Sequence, residues 1–497
     1  MNLRPRNMKA IGYLSWPLLM TAALSVLISR HSPHSLVFAI VGIVALVFVA
    51  LCHISRGYLG VLSPFPLFML GGALYTLPTA LTLAASGELV NVRDIPIGAI
   101  IRAISDSSVA LLCAASGYLV FNACTRQRMR IHRQKPLLRD DSTAATIGGL
   151  LMVIGVAAAA QFVFNVAGFN ALRSASYGGR YVLMDGHGLL IGCISWISLG
   201  GLVLCAHFLH RGSRLKSIGG LLLAGAALVL WTFLIGSRSH LIQFCIAAIV
   251  VRQITWKPSS LKVLAAIGTF VIAAAILFEM SERTFSFSAI RLPQKDQIKQ
   301  INPANSELGA PVQTLADIER SVPSIEPFQF GRTYLEIPAI LVPKIIWPGR
   351  PQGPGIWYAS RFYPRYAEAG GAYAFSPVAE AYLNFGPIGI VLSFVAVGAI
   401  LGLLERKLMY PCGLSIWAAV AYAVTVPYII MFSRLDAATF VKSLCVGTLA
   451  PLFISAAGGR FLREMFRPPK LAASENSLSG LPAMDGQNQV EILDTQH

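Results

Sequence analysis

The sequence turns on Ser376-Pro377-Val378-Ala379-Glu380-Ala381-Tyr382-Leu383-Asn384-Phe385-Gly386. Ser376 is a good helix cap and Pro377 sits where a first helical position tolerates proline best. The apolar run that follows continues to Leu404. A helix over that length measures about 42 Å at 1.5 Å per residue, more than a hydrocarbon core of about 30 Å requires. Gly386-Pro387 is therefore expected to bend or break the helix near the outer surface. That leaves Glu380, Tyr382 and Asn384 on a half-helix bordering a water-facing cavity, although Glu380 in the first turns also complements the helix dipole.

Upstream of this return into the membrane lies a polar interruption, residues 281–376, and on either side of it the chain is lipid-soluble. The 497 residues are 55% hydrophobic and 13% charged, and apolar runs of about 20 residues recur as a bilayer demands. Candidate spans are 11–29, 36–54, 62–85, 107–124, 144–168, 188–210, 218–235, 240–251, 261–280, 377–404, 413–432 and 437–457. The fold class expected is an all-α polytopic membrane protein of about twelve helices with one large outer loop. Run 11–29 follows Arg4, Arg6 and Lys9 but has no small-residue cleavage site, so it reads as a retained first helix. The parts are then 1–280 with nine spans, 281–376 as the outer loop, 377–457 with the last three spans, and 458–497 as a polar tail with too little apolar surface to order itself.

The net charge of +17 is explained by topology and not by nucleic acid. Alternate connections carry the Lys/Arg excess that marks cytoplasmic loops: the N-terminus, 126–135, 211–216, 252–257, 405–407 and 460–470. Both termini are then expected in the cytoplasm, with 87–106, 169–187 and 281–376 outside. None of the eight cysteines falls in the long loop, and none has metal-ligand spacing, so no disulfide framework, zinc site or other metal is expected.

Basic residues that violate this pattern are the candidates for chemistry. Arg238, in Gly236-Ser237-Arg238-Ser239, precedes a run of only about 12 apolar residues, roughly 18 Å of helix. It is expected to dip below the outer surface, where an arginine faces a cavity or a partner. Arg434 lies at the outer end of the penultimate span, with Asp436 as a ready counter-ion. Arg173 and Arg180 flank Gly178-Gly179 in an outer loop. With Arg332 and Arg350 these give guanidinium forks around an outward cavity, the chemistry that binds phosphate or pyrophosphate bidentately.

Within the loop, 281–327 shows no sustained period and is treated as irregular. Residues 330–342 are amphipathic enough for a short helix at the membrane interface, ended by Pro343. The aromatics Trp357, Tyr358, Phe362, Tyr363, Tyr366, Tyr373 and Phe375 read either as an interfacial belt or as platforms for sugar rings.

Four short motifs occur in order: Gly-Ser-Arg-Ser at 236–239, Phe-Gly-Arg-x-Tyr at 330–334, Pro-Lys-Ile-Ile-Trp-Pro-Gly-Arg-Pro at 343–351, and Glu-Ala-Tyr-x-Asn-Phe-Gly-x-x-Gly at 380–389. Their order around one large loop resembles the oligosaccharide repeat unit polymerases, the Wzy-type O-antigen and exopolysaccharide polymerases. In that family the basic residues of the third motif are more often Arg then Lys; here Lys344 and Arg350 keep the charge. The resemblance implies a GT-C-like architecture and a metal-independent, cofactor-free, inverting glycosyl transfer at the outer face of a bacterial inner membrane. The partners implied are an undecaprenyl-pyrophosphate-linked oligosaccharide, the lipid bilayer and a chain-length regulator protein. Site residues that follow are Arg238, Arg434 and Arg332 on the pyrophosphate, with Lys344, Arg350, Arg173 and Arg180 in support. Glu380 is the base or acceptor-positioning group, Tyr382 and Asn384 line the acceptor, and Asp436 and Glu336 rival Glu380 as base.

An O-antigen ligase shares the enzyme class, but by resemblance would use a histidine near the loop, and 281–436 contains none. A lipid-linked oligosaccharide flippase or other transporter would show short loops and related halves, and neither is found.

Overall fold

The computed structural model describes residues 62–86, 94–124, 138–139, 142–166, 168, 183, 186–235, 239–255, 308–342, 346–368, 372–409 and 414–465, with helical positions inside 36–46. Expected spans 11–29 and 261–280, most of 36–54, and Arg173, Arg180, Arg238 and Lys344 lie outside the described residues.

The described chain is nearly all helix. In order come α1 (Pro64–Ser86), α2 (Ile97–Cys124), the two-residue strand β1 (Leu138–Arg139), α3 (Ala144–Asn165), α4 (Gly188–Ile194), α5 (Trp196–His210), α6 (Arg214–Ile235) and α7 (Ser239–Thr255). The loop contributes α8 (Ala310–Ser321), α9 (Arg332–Leu335), α10 (Ile337–Leu341), α11 (Pro354–Phe362) and α12 (Pro364–Glu368). After it come α13 (Pro377–Met409), β2 (Leu414–Ser415), α14 (Ile416–Met431), α15 (Ala437–Val441), a π-helical stretch (Lys442–Leu449) and α16 (Ala450–Met465). Among the described residues, eight helical segments are long and apolar enough to cross a membrane, which makes this a multi-pass membrane protein.

α2 is the central helix, with 78% of its apolar window buried, whereas the Arg214–Thr232 and Ala437–Gly459 spans bury only 28%. Its closest neighbour is α13, and small residues set the distance. A Cβ on Gly117 would lie 2.0 Å from the Val395 carbonyl oxygen, and one on Gly398 would lie 1.9 Å from that of Ala114. Helices in lipid gain little from the hydrophobic effect and pack instead through close backbone contact at such positions.

One end of the bundle carries the 308–376 segment, here termed the loop end. At the opposite end the Tyr118 hydroxyl donates to Glu405 Oε2 at 2.8 Å. β1 and β2 pair in parallel, Leu138 with Leu414 and Arg139 with Ser415. The two connections that the basic-residue pattern assigns to one side thus lie side by side.

Several expectations change. α2 starts at Ile97 and not at 107, because Ile97, Ile100 and Ile104 extend the apolar face; Arg102 and Asp106 are therefore helical, and Asp106 is fully buried. Span 188–210 is found as one segment able to cross a membrane, with a local irregularity at Ser195, whose hydroxyl bonds Gly192 O at 2.6 Å and Gly447 O at 3.2 Å. α7 has 17 residues, longer than its apolar run, since Gln253 and Thr255 are buried and continue the helix. The brevity that argued for a deep Arg238 is correspondingly smaller.

Candidate functional site

The loop is tied into the bundle by a helix that the sequence pattern did not give. α8 falls within the stretch expected to be irregular, yet every residue from Pro311 to Glu319 is buried. Val312, Leu315, Ala316 and Ile318 are at most 2% exposed, and the helix packs on α1, α2 and α13. Its Asp317 accepts hydrogen bonds from Tyr358 at 2.7 Å, Tyr363 at 3.0 Å and Arg320 at 2.8 Å. Tyr358 is fully buried, with the rings of Phe362, Tyr363, Tyr373 and Phe375 at 5.3–6.0 Å. These aromatics form the loop's own core, in place of the belt or sugar platform expected of them.

α13 begins as its sequence requires, with the Ser376 hydroxyl accepting from Ala379 N–H at 3.1 Å. It breaks at Gly386, where φ is 64° and ψ is −153°, a conformation essentially confined to glycine. The break is crowded: a Cβ there would meet the Phe328 ring at 3.2 Å.

Glu380 and Asn384, one turn apart before the break, are both fully buried. Glu380 Oε1 accepts from the Thr333 hydroxyl at 2.8 Å, and Oε2 accepts from the Ala437 backbone N–H at 2.7 Å. Asn384 donates to the Thr333 hydroxyl at 2.7 Å and to Glu380 O at 2.8 Å, and accepts from Gly331 N–H at 2.9 Å. The main chain adds Gln329 N–H to Leu383 O and Phe330 N–H to Asn384 O, each 3.0 Å. Two motifs distant in sequence, Phe330–Tyr334 and Glu380–Gly386, are therefore one hydrogen-bonded unit. Glu380 also joins it to the start of α15, just past Arg434. Burial pushes the Tyr334 hydroxyl up to about 12, and the Glu380 charge beside it acts in the same direction.

Arg434 is half-buried and stands over the Tyr75 ring, 6.0 Å from its centroid, a cation–π distance. Tyr75 and Ser433 also line a small, partly open crevice whose wall includes Phe68, Thr76, Ser107 and Ser376. Ser376 in its wall lies one helical turn before Glu380. Asp436 caps α15, accepting from Thr439 N–H and the Thr439 hydroxyl, both at 2.8 Å. Burial raises its carboxyl above the ordinary range, offset in part by those bonds.

The remaining candidates are more dispersed. Arg332 is 72% exposed and pairs with Glu336 at 2.7 Å. Arg350 donates to Ile340 O. Tyr382 is 8% exposed and packs on Phe328 at 6.4 Å. Arg238 lies outside the described residues, immediately before α7, whose Gln243 reaches the Met431 sulfur at 3.0 Å, close in sequence to Arg434. Among the described residues, no group of three or more His, Cys, Asp or Glu side chains is placed to hold a metal ion. Sequence reasoning missed Thr333, the unspecified position of its motif, and Tyr75, which sits in a plain apolar span.

A multi-pass helical bundle with a buried polar junction at its loop end is that of an integral membrane protein. The profile described as O-antigen polysaccharide polymerase Wzy matches residues 17–457, and the chain belongs to that family. No curated protein and no solved structure matches it.

Proposed function

We propose that the protein polymerises undecaprenyl-pyrophosphate-linked oligosaccharide repeat units into O-antigen or exopolysaccharide at the outer face of the bacterial inner membrane, by an inverting, metal-independent glycosyl transfer. In this reading the chain crosses the membrane about twelve times, both termini are cytoplasmic, and the loop end faces outward in a GT-C-like arrangement. The observation that supports it is the convergence of Glu380, Thr333 and the Ala437 N–H on one buried junction, three residues along the chain from Arg434.

In the transfer, a hydroxyl on the newly arrived repeat unit attacks the anomeric carbon of the growing glycan. The bond from that carbon to the pyrophosphate breaks and its electron pair leaves on the phosphate oxygen. Arg434 lies where it stabilises that charge, with Arg238 joining it and Arg332, Lys344, Arg350, Arg173 and Arg180 supplying the surrounding positive field. The hydroxyl proton passes to a carboxylate. We assign this step to Asp436 ahead of Glu380 because it stands two residues from Arg434 and is 5% exposed, whereas Glu380 has no exposed surface. Glu380, fully buried and bonded to the Thr333 hydroxyl and the Ala437 N–H, acts in this reading by positioning the segments around the site. Asn384 shares that role, and Tyr382 supports the segment through Phe328.

A strain lacking the protein tests the proposal through its lipid-linked glycan. Single repeat units accumulating on the outer leaflet are the expected result. An unchanged ladder would overturn the proposal, and accumulation on the inner leaflet would assign a flippase.

A further inference from the structure

Phe330 and Leu335 belong to the loop, yet their side chains are 75% and 81% exposed. They are not isolated. Phe330 N–H bonds the Asn384 carbonyl at 3.0 Å, and Gly331 lies so near Phe385 that a Cβ there would be 3.1 Å from that ring. Phe385 is 44% exposed, and Ile388 and Leu392, on successive turns of α13, are 69% and 66% exposed. α13 is one of the helices long and apolar enough to span a membrane, so its exposed apolar face meets acyl chains. Phe330 and Gly331 stand against Asn384 and Phe385 at the loop end of that face, and large exposed apolar residues grouped in this way mark an interaction surface. Arg332, 72% exposed and paired with Glu336, sits within it, where an arginine's aliphatic stem lies along lipid and its head reaches phosphate.

We infer that residues 330–335 form a hook inserted into the lipid leaflet at the loop end. Phe330 and Leu335 lie among acyl chains, and Arg332 lies at the level of the phospholipid phosphates. The occupant of the patch is bilayer phospholipid. The inference rests on the multi-pass membrane assignment and not on the polymerase reading, so each fails separately. Its consequence for the site is mechanical: Thr333, between two lipid-facing residues, turns inward to Glu380 and Asn384, so the position of the hook in the leaflet sets the position of the buried junction.

The test uses the full chain in liposomes of phosphatidylethanolamine and phosphatidylglycerol. Spin labels go on Phe330→Cys and Leu335→Cys, in a background where the native cysteines are serine, with Leu392→Cys as the lipid reference and Glu368→Cys as the water reference. Power saturation is expected to show both hook positions favouring oxygen over a water-soluble nickel chelate, as at 392. Nickel access matching position 368 would overturn the inference. Protection from both reagents would also overturn it, by assigning a protein partner or second copy. A second measurement uses the unmodified chain with a photoactivatable phospholipid. Label on residues 330–342 is expected, with Arg332→Gln reducing headgroup-probe labelling several-fold while acyl-probe labelling persists. Label confined to the spanning helices would overturn it.

Discussion

The two halves of α13 are held by different physics. From Pro377 to Asn384 the helix is buried, with Ala379, Glu380, Ala381, Leu383 and Asn384 at most 1% exposed, and polar groups meet partners from the loop and from α15. Beyond Gly386, one face packs on α2 through Gly398 and the other turns Ile388, Leu392 and Ile400 to the surrounding medium. The first half is specified by hydrogen bonds and the second by shape. Substitutions in the two halves should therefore fail in different ways: loss of partners displaces the site, whereas added volume separates helices.

The largest effect is expected beside the first half. Arg434→Ala should lower the polymerisation rate by about 10²–10³-fold, the usual consequence of removing one charge-stabilising donor, with little change in thermal unfolding in detergent. Glu380→Ala comes next, since it strands the Ala437 N–H and the Thr333 hydroxyl. A stability loss of about 2–3 kcal/mol should accompany the loss of activity, and Glu380→Gln should recover part of both. In the second half, Gly398→Val should cost about 1–3 kcal/mol by overpacking against Ala114, seen as a lower melting temperature at unchanged specific activity of the folded fraction. Leu392→Ala, on the exposed face, should stay within about 0.5 kcal/mol. Equal melting losses for Gly398→Val and Leu392→Ala would break the comparison.

Asp436 sharpens it through pH. Its carboxyl is raised by burial, so its ionised fraction falls at a higher pH than an ordinary aspartate's. If it accepts the proton, activity should drop on the acid side earlier than an unperturbed carboxylate allows, and Asp436→Asn should remove that limb from the rate profile. A limb unchanged in Asp436→Asn would return the role to Glu380 or Glu336.

Much of this was legible in sequence because spans and breaks are local signals. Gly386-Pro387 gave the break in α13 from the length of the run and two residues. α8 was missed although Val312, Leu315, Ala316 and Ile318 recur at helical spacing, because the run is short and Gln313, Thr314, Asp317 and Glu319 read as loop polarity, whereas the fold buries them. The aromatic cluster was misread for a related reason, since Tyr358 and Tyr363 are satisfied by Asp317, some forty residues away. Glu380 was found by its place in a helix cap and motif. That its oxygens accept from Thr333 and Ala437 is a tertiary fact that no local pattern carries.

The central claim, that the loop end of this protein joins lipid-pyrophosphate-linked repeat units, is tested most directly by polymerisation with the purified chain in liposomes supplied with such units. A ladder of lengthened, lipid-linked glycan from the parental chain, reduced to single units by Arg434→Ala, is the predicted result. No ladder from a folded parental chain, or an equal ladder from Arg434→Ala, would contradict it.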